Sequence, residues 1–171
     1  MKTAKVLVFV ENISAKRFAD AVLRAYPVKI VDAMTLSSAI AQAEQSLEAH
    51  PEQPVAVLLN LGKADPALLE QWRASTTRLL ARNAPQGWCV AYAVPRLDAW
   101  AMSDPRIKET FEADEATRTS YWERSLHIGA IVKKKPFDAT NLLRENEDFR
   151  GLVEFIERHA AVPAATQKSA V

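Results

Sequence analysis

Short, uninterrupted apolar runs alternate along the chain with stretches of helical periodicity. This alternation constrains the fold more than any other feature of the sequence. The runs are residues 5–10, 28–31, 54–59 and 88–94. A strand that is apolar at almost every position has to be covered on both faces, as strands are in a parallel sheet. The sequence therefore predicts an α/β fold, with an open, mostly parallel sheet of four or five strands and helices on both faces.

The second half of the chain has a weaker pattern. Residues 114–126 are compatible with a polar helix, and residues 128–132 with a fifth strand or a buried turn. Residues 149–159 predict a final helix. The 171 residues are enough for one core. We expect a single domain over residues 1–159, followed by a flexible C-terminal tail over residues 160–171.

Charge and cysteine content exclude several classes of protein. The chain has 22 Lys and Arg against 21 Asp and Glu, a net charge of +1, so any contact with nucleic acid has to be a local patch. The lone Cys89 excludes an internal disulfide framework. No apolar stretch approaches the ~20 residues of a membrane span. We expect a cytoplasmic protein that has no membrane partner.

Polar side chains follow the predicted strands at the points where they end. Glu11 follows the first strand, Asn60 and Asp65 follow the third, and Asp98 follows the fourth. Ligands of open parallel sheets bind at the carboxyl ends of the strands, so these side chains should lie close together. Glu11, Asp65 and Asp98 are the carboxylates available to hold Mg²⁺, which can align a water for attack on a phosphodiester.

Some of these residues also have a purely structural interpretation. Asp65 precedes Pro66, and this pair favours the start of a helix. Ser14 is expected to cap the first helix. Basic residues near the sheet edge and in a run farther along the chain are candidates for phosphate contacts, although such runs also occur on solvated surfaces. They are Lys16, Lys63, Lys133, Lys134 and Lys135.

Three segments together resemble Toprim-type domains. Residues 10–18, VENISAKRF, resemble their opening motif, in which a Glu ends the first strand; Asn12 stands where a Gly usually follows, which suggests a left-handed turn. Residues 57–66, VLLNLGKADP, resemble the third-strand motif. Residues 93–105, AVPRLDAWAMSDP, are similar to the V-P-x-x-E-A-W-x-x-x-D-P segment of small bacterial proteins related to the nuclease part of overcoming-lysogenization-defect enzymes.

The resemblance implies catalytic roles for Glu11 and Asp98 in Mg²⁺-dependent phosphodiester cleavage or transfer. Active members carry D-x-D in the third-strand motif, and those two positions are Asn60 and Gly62 here. Losing both carboxylates should leave weak Mg²⁺ binding at most. We therefore expect a Toprim-like domain that is a weak or inactive nuclease-type protein and acts as a binding module. Its partner would be a nucleic acid or a protein, and the resemblance suggests a setting in bacterial defence.

Two other functions stay open. The first is an active Mg²⁺-dependent nuclease. The second comes from residues 129–137, GAIVKKKPF, in which Gly129-Ala130 and Lys135-Pro136-Phe137 resemble the end of response-regulator receiver domains. The phosphate-accepting Asp of a receiver would fall at Asn60, so this resemblance implies a signalling domain that is not phosphorylated.

Overall fold

A four-stranded, all-parallel open sheet forms the centre of the molecule. The computed structural model describes residues 6–60, 65–82, 87–94, 96–113 and 120–160. The strands are β1 (Val6–Val10), β2 (Val28–Asp32), β3 (Val55–Leu59) and β4 (Trp88–Tyr92), in the order β2-β1-β3-β4. This architecture confirms the predicted α/β fold.

Eight helices in the described residues surround the sheet. They are α1 (Ile13–Val22), α2 (Leu36–Ala49), α3 (Pro66–Leu80), α4 (Leu97–Ala101), α5 (Pro105–Ala113), α6 (Tyr121–Lys134), α7 (Thr140–Glu145) and α8 (Glu147–Ala160). In the part of the chain that is described, none of them is long and apolar enough to cross a membrane. The helix α8 includes Ala160, and the rest of the expected tail lies outside the described residues.

The helices cover both faces of the sheet, and each face has its own apolar cluster. All five residues of β3 are buried. Val55, Val57 and Leu59 belong to the cluster that packs against α2 and α3, whereas Ala56 and Leu58 belong to the one that packs against the remaining helices. The continuous apolar run in the sequence therefore reflects a strand with two buried faces.

The prediction of a fifth strand is wrong, because residues 128–132 lie inside α6. Ile128, Ile131 and Val132 are buried at the i, i+3, i+4 spacing of one helix face. Ser120 begins the helix with a capping box: its side chain accepts from the backbone N–H of Glu123, and the Glu123 carboxylate accepts from the backbone N–H of Ser120. The apolar, partly β-branched composition favours a strand locally, but the cap and the helical spacing prevail.

The prediction that Ser14 caps α1 is also wrong. Asn12 is the cap: its Oδ1 accepts from the backbone N–H of Ala15 at 2.8 Å, and Ser14 is buried within the helix. Asn12 has φ −166°, so its backbone is extended and not left-handed. Both expectations failed for one reason, which is that the helix begins directly after β1 and needs an extended capping residue there.

Candidate functional site

Glu11, Asn60 and Asp98 meet at the carboxyl edge of the sheet, as the sequence predicts. Glu11 follows β1 and is 9% exposed. Its carboxylate Oε2 accepts a hydrogen bond from the backbone N–H of Asn60, which follows β3, at 3.2 Å. The neighbouring strands β1 and β3 therefore end in one hydrogen-bonded pair, and Asn60 links that pair to the residues after β4.

The side-chain amide of Asn60 joins three parts of the fold. Its Oδ1 accepts from the backbone N–H of Leu97, the residue before Asp98, at 2.9 Å. Its Nδ2 donates to the hydroxyl of Tyr121, the first residue of α6, at 2.9 Å. The amide thus uses one donor and one acceptor, and it connects β3 with the starts of α4 and α6. An Asn at this position has a clear structural role.

Asp98 is enclosed between two arginines. It is 6% exposed. Its carboxylate accepts from Arg96 Nη2 at 3.0 Å and Nε at 3.2 Å, and Arg124 Nη1 lies 3.2 Å from its Oδ2. Paired hydrogen bonds between a guanidinium and a carboxylate are among the strongest in proteins. The negative charge of Asp98 is therefore already balanced by the protein itself.

Tyr121 lies between the two carboxylates. Its ring packs against Phe18, with ring centroids 5.0 Å apart, and the Arg96 guanidinium lies 4.7 Å from its centroid. Burial, and then the negative charges of Asp98 and Glu11, raise the pKa of the Tyr121 hydroxyl well above its ordinary value. The hydroxyl stays protonated at neutral pH, so it can accept from Asn60 and keep its own proton to donate.

Burial also raises the pKa of Glu11. The hydrogen bonds from Asn60 oppose this shift without cancelling it. The desolvated carboxylate has no cation of its own in the described contacts, in contrast to Asp98. The two carboxylates that the sequence selects therefore have different environments at the same edge.

Asp65 has the structural role that its position before Pro66 predicts. It is exposed, and its Oδ1 accepts from the backbone N–H of Ala67 at 2.8 Å, which makes it the N-cap of α3. Within the described ranges, no three His, Cys, Asp or Glu side chains are placed to hold a metal ion together. Gly62 of the degenerate motif lies outside the described residues.

The four candidate phosphate-binding lysines that the structure describes do not form one cluster. Lys16 pairs with Asp20 at 2.9 Å, one helical turn along α1. Lys133 and Lys134 are exposed in the last turn of α6, and Lys135 donates to the Thr110 hydroxyl at 3.0 Å. Lys63 falls outside the described ranges.

Sequence reasoning missed two members of the site, namely Tyr121 and Arg124, and it placed Arg96 after the fourth strand without assigning it a role. Arg96 stands two residues before Asp98, inside the most specific of the three motifs, so its position was a usable signal. Tyr121 and Arg124 come from α6, and 61 residues separate Tyr121 from Asn60. The Ser120-x-x-Glu123 capping signature predicts where that helix starts, but it does not indicate where the helix packs in the fold.

The site as a whole is electrically balanced. It contains two carboxylates and two guanidinium groups, both of the latter at Asp98, and an amide and a phenol complete the network. The side chains of Arg96 and Arg124 are 37% and 29% exposed, so part of each still reaches the surface. No family model, curated protein or solved structure matches the chain.

Proposed function

We propose that the chain is a Toprim-like domain that has lost its metal chemistry and acts by binding and not by phosphodiester cleavage. The observation that carries the proposal is the position of Asp98 between Arg96 and Arg124. A carboxylate that serves Mg²⁺ has to present its oxygens to the ion, and here both oxygens already accept from guanidinium nitrogens.

The hydrogen bonds that Asn60 forms support the same proposal. In the third-strand motif of active Toprim-type domains, which this segment resembles, this position is the first Asp of D-x-D. Here the side-chain amide of Asn60 is hydrogen-bonded to Leu97 and Tyr121, and its backbone N–H donates to Glu11. A metal ion at this edge would have to displace hydrogen bonds that hold β3, α4 and α6 together. The geometry therefore favours a site built for structure and recognition.

Thermal unfolding with and without divalent ions tests the proposal. The natural chain should show no shift in melting temperature on addition of Mg²⁺ or Mn²⁺ beyond that caused by matched ionic strength, because ligands stabilise only the state that they bind. Asn60→Asp should melt lower without metal, because a third carboxylate then faces Glu11 and Asp98. A metal-dependent rise confined to this variant would mark the residual Toprim-like site.

A nuclease assay completes the test. Purified protein should leave plasmid and single-stranded DNA intact in Mg²⁺ or Mn²⁺. Cleavage that Glu11→Gln abolishes would instead establish the second candidate, an active Mg²⁺-dependent nuclease. The convergence of Glu11, position 60 and Asp98 on one network is the observation that favours this candidate. No observation on the described residues favours the receiver-like alternative, because residues 129–134 are helical.

A further inference from the structure

A groove of about 450 Å³ runs between α1 and α6, on helices that also contribute to the sheet-edge site. The two helices run in the same direction. Near their starts the Arg17 guanidinium stacks on the Trp122 ring, 4.0 Å from its centroid, and near their ends Arg24 Nη1 donates to the Val132 carbonyl at 3.4 Å. Small residues, namely Ala21, Gly129 and Ala130, line the groove between these two contacts.

The rim of this groove, which we call the α1–α6 groove, is strongly cationic. Arg17, Arg24, Lys133 and Lys134 line it. Among the described residues that line it, Asp20 is the one acid, and its carboxylate is already paired with Lys16 at 2.9 Å. Because the whole chain has a net charge of only +1, four cations against one paired acid is a local concentration of positive charge.

Within the described ranges, these four cations are not neutralised by acids of the chain. Among the described residues, none of them forms an ion pair with an acid. The Arg17 Nη1 atom is enclosed and has no hydrogen-bond acceptor in the described part of the chain. A partner that brings carboxylates to the rim would therefore meet positive charge that no described acid balances.

Apolar side chains stand exposed along the same two helices. Leu126 lines the groove and is 46% exposed, and Trp122, one turn earlier on α6, is also 46% exposed. Ile13 is 39% exposed, one turn before Arg17 on α1. Residues four apart lie on the same side of a helix, so each helix presents an apolar residue next to the cationic positions.

The size of the groove suits a helix. From Arg17 to Arg24 the rise along a helix is about 10 Å, which is two turns. A second depression, of about 410 Å³, shares Asp20, Arg24 and Lys133 with the groove and extends it to Tyr26 and Val28. A Cβ built on Gly129 would meet nothing within 4 Å, so the space above this residue is open.

We propose that the α1–α6 groove is the docking site for an acidic amphipathic helix of a partner protein. The apolar face of that helix would pack on Leu126 and the small residues, and its acids would meet Arg17, Arg24, Lys133 and Lys134. The proposal deepens the binding role argued above and rests on it. The charge does not suit residues 161–171 of the chain itself, which include Lys168 and no acid.

A nucleic acid fits the groove less well. Single strands bind where bases can stack on free aromatic faces along a positive channel. Here one face of Trp122 is covered by Arg17, and the floor consists of small apolar residues that favour contact with aliphatic side chains. The cations alone would accept phosphates, so a nucleic acid is included in the test as a competing outcome.

Selection from a display library of random peptides, each about 16 residues long, tests the proposal on the full chain. The enriched peptides should be acidic, with apolar residues at helical spacing. Fluorescence anisotropy should show binding that weakens at least about tenfold in Gly129→Leu, which fills the groove, and in the double variant Lys133→Glu, Lys134→Glu. Gly151→Leu is the matched control, because Gly151 lies in α8 with equally open space above it.

Several results would overturn the proposal. They are the absence of enriched peptides, enrichment without acidic bias, and peptide binding that survives Gly129→Leu. Binding of a single-stranded oligonucleotide that Gly129→Leu abolishes, with no peptide bound, would assign the groove to nucleic acid instead. These measurements use no divalent metal. Nuclease activity would therefore defeat the proposed function while leaving the result at the groove readable, and a failed selection would leave the metal tests untouched.

Discussion

Among single residues, Asn60 shows most directly how a polar side chain can determine the local fold. Its amide and backbone connect Glu11, Leu97 and Tyr121, which belong to three segments far apart in sequence. An amide can serve as donor and acceptor at once, which a carboxylate cannot do. Asn60 therefore acts as a structural connector that a carboxylate at this position could not replace.

Asp98→Asn should destabilise the protein by about 2 kcal/mol. Breaking a buried ion pair costs several kcal/mol, and the partial exposure of Arg96 and Arg124 reduces that figure. Urea denaturation of both proteins measures the difference. Asp65→Asn is the control and should change little, because Asn caps a helix as well as Asp does. If Asp98 belonged to an empty metal site, its neutralisation would relieve repulsion with Glu11 and stabilise the protein.

Glu11→Gln should alter how stability depends on pH. Burial raises the folded-state pKa of Glu11 above its ordinary value. Stability from such a group is fully present below the unfolded-state pKa and is lost as pH rises through the folded-state pKa. The variant should therefore gain stability relative to the natural chain as the pH rises from the unfolded-state pKa, about 4.3, through the raised folded-state pKa. Urea midpoints of both proteins across that window measure the gain, and parallel curves would contradict it.

Among the helices, α6 is the one that encloses the candidate site at the sheet edge. Its first turn supplies Tyr121 and Arg124, and its opposite end supplies the lysines of the α1–α6 groove. The capping box at Ser120 fixes where the helix begins and hence which residues face the site. Both the candidate site and the groove depend on this one helix.

Ser120→Ala should lower the free energy of unfolding by about 1 kcal/mol, the usual cost of losing a side-chain N-cap. Amide hydrogen exchange should accelerate most in the first turn of α6, including Glu123, whose N–H loses its acceptor. Ser120→Asp retains a capping oxygen and serves as the matched variant. Equal exchange in the Ala and Asp variants would show that the cap contributes nothing.

The elements also show how far sequence reasoning reaches. The four strands follow from apolar runs because burial on both faces leaves an uninterrupted signature, as in β3. The edge residues Glu11, Asn60 and Asp98 follow from the topology of parallel sheets. The prediction of a strand over residues 128–132 failed, because the periodicity of a short apolar run does not distinguish a strand from one turn of a buried helix. Arg124 could not be found, since its position at Asp98 depends on tertiary packing.

For the whole molecule, β3 connects the two apolar clusters. Successive residues of this strand point into opposite clusters, so neither cluster can be lost while the strand stays in place. The two faces should therefore unfold together in a single cooperative transition.

Leu47→Ala and Leu152→Ala test this coupling with the same substitution in different clusters. Both side chains are fully buried, Leu47 on α2 and Leu152 on α8. Each variant should lose about 3 kcal/mol of stability. Urea curves from far-ultraviolet circular dichroism and from tryptophan fluorescence should coincide in both. Separated curves in either variant would mean that the two clusters unfold independently.

The strand order β2-β1-β3-β4 bears on how the chain can assemble during translation. Of the four described strands, the first to be synthesised is a central one, and β2 adds to one side of it. When β3 emerges it adds to the free side of β1, and β4 then adds to β3. Every new strand thus finds its neighbour already synthesised and joins an outer edge. The sheet can grow in the order of synthesis, and no strand has to be inserted between two that are already paired.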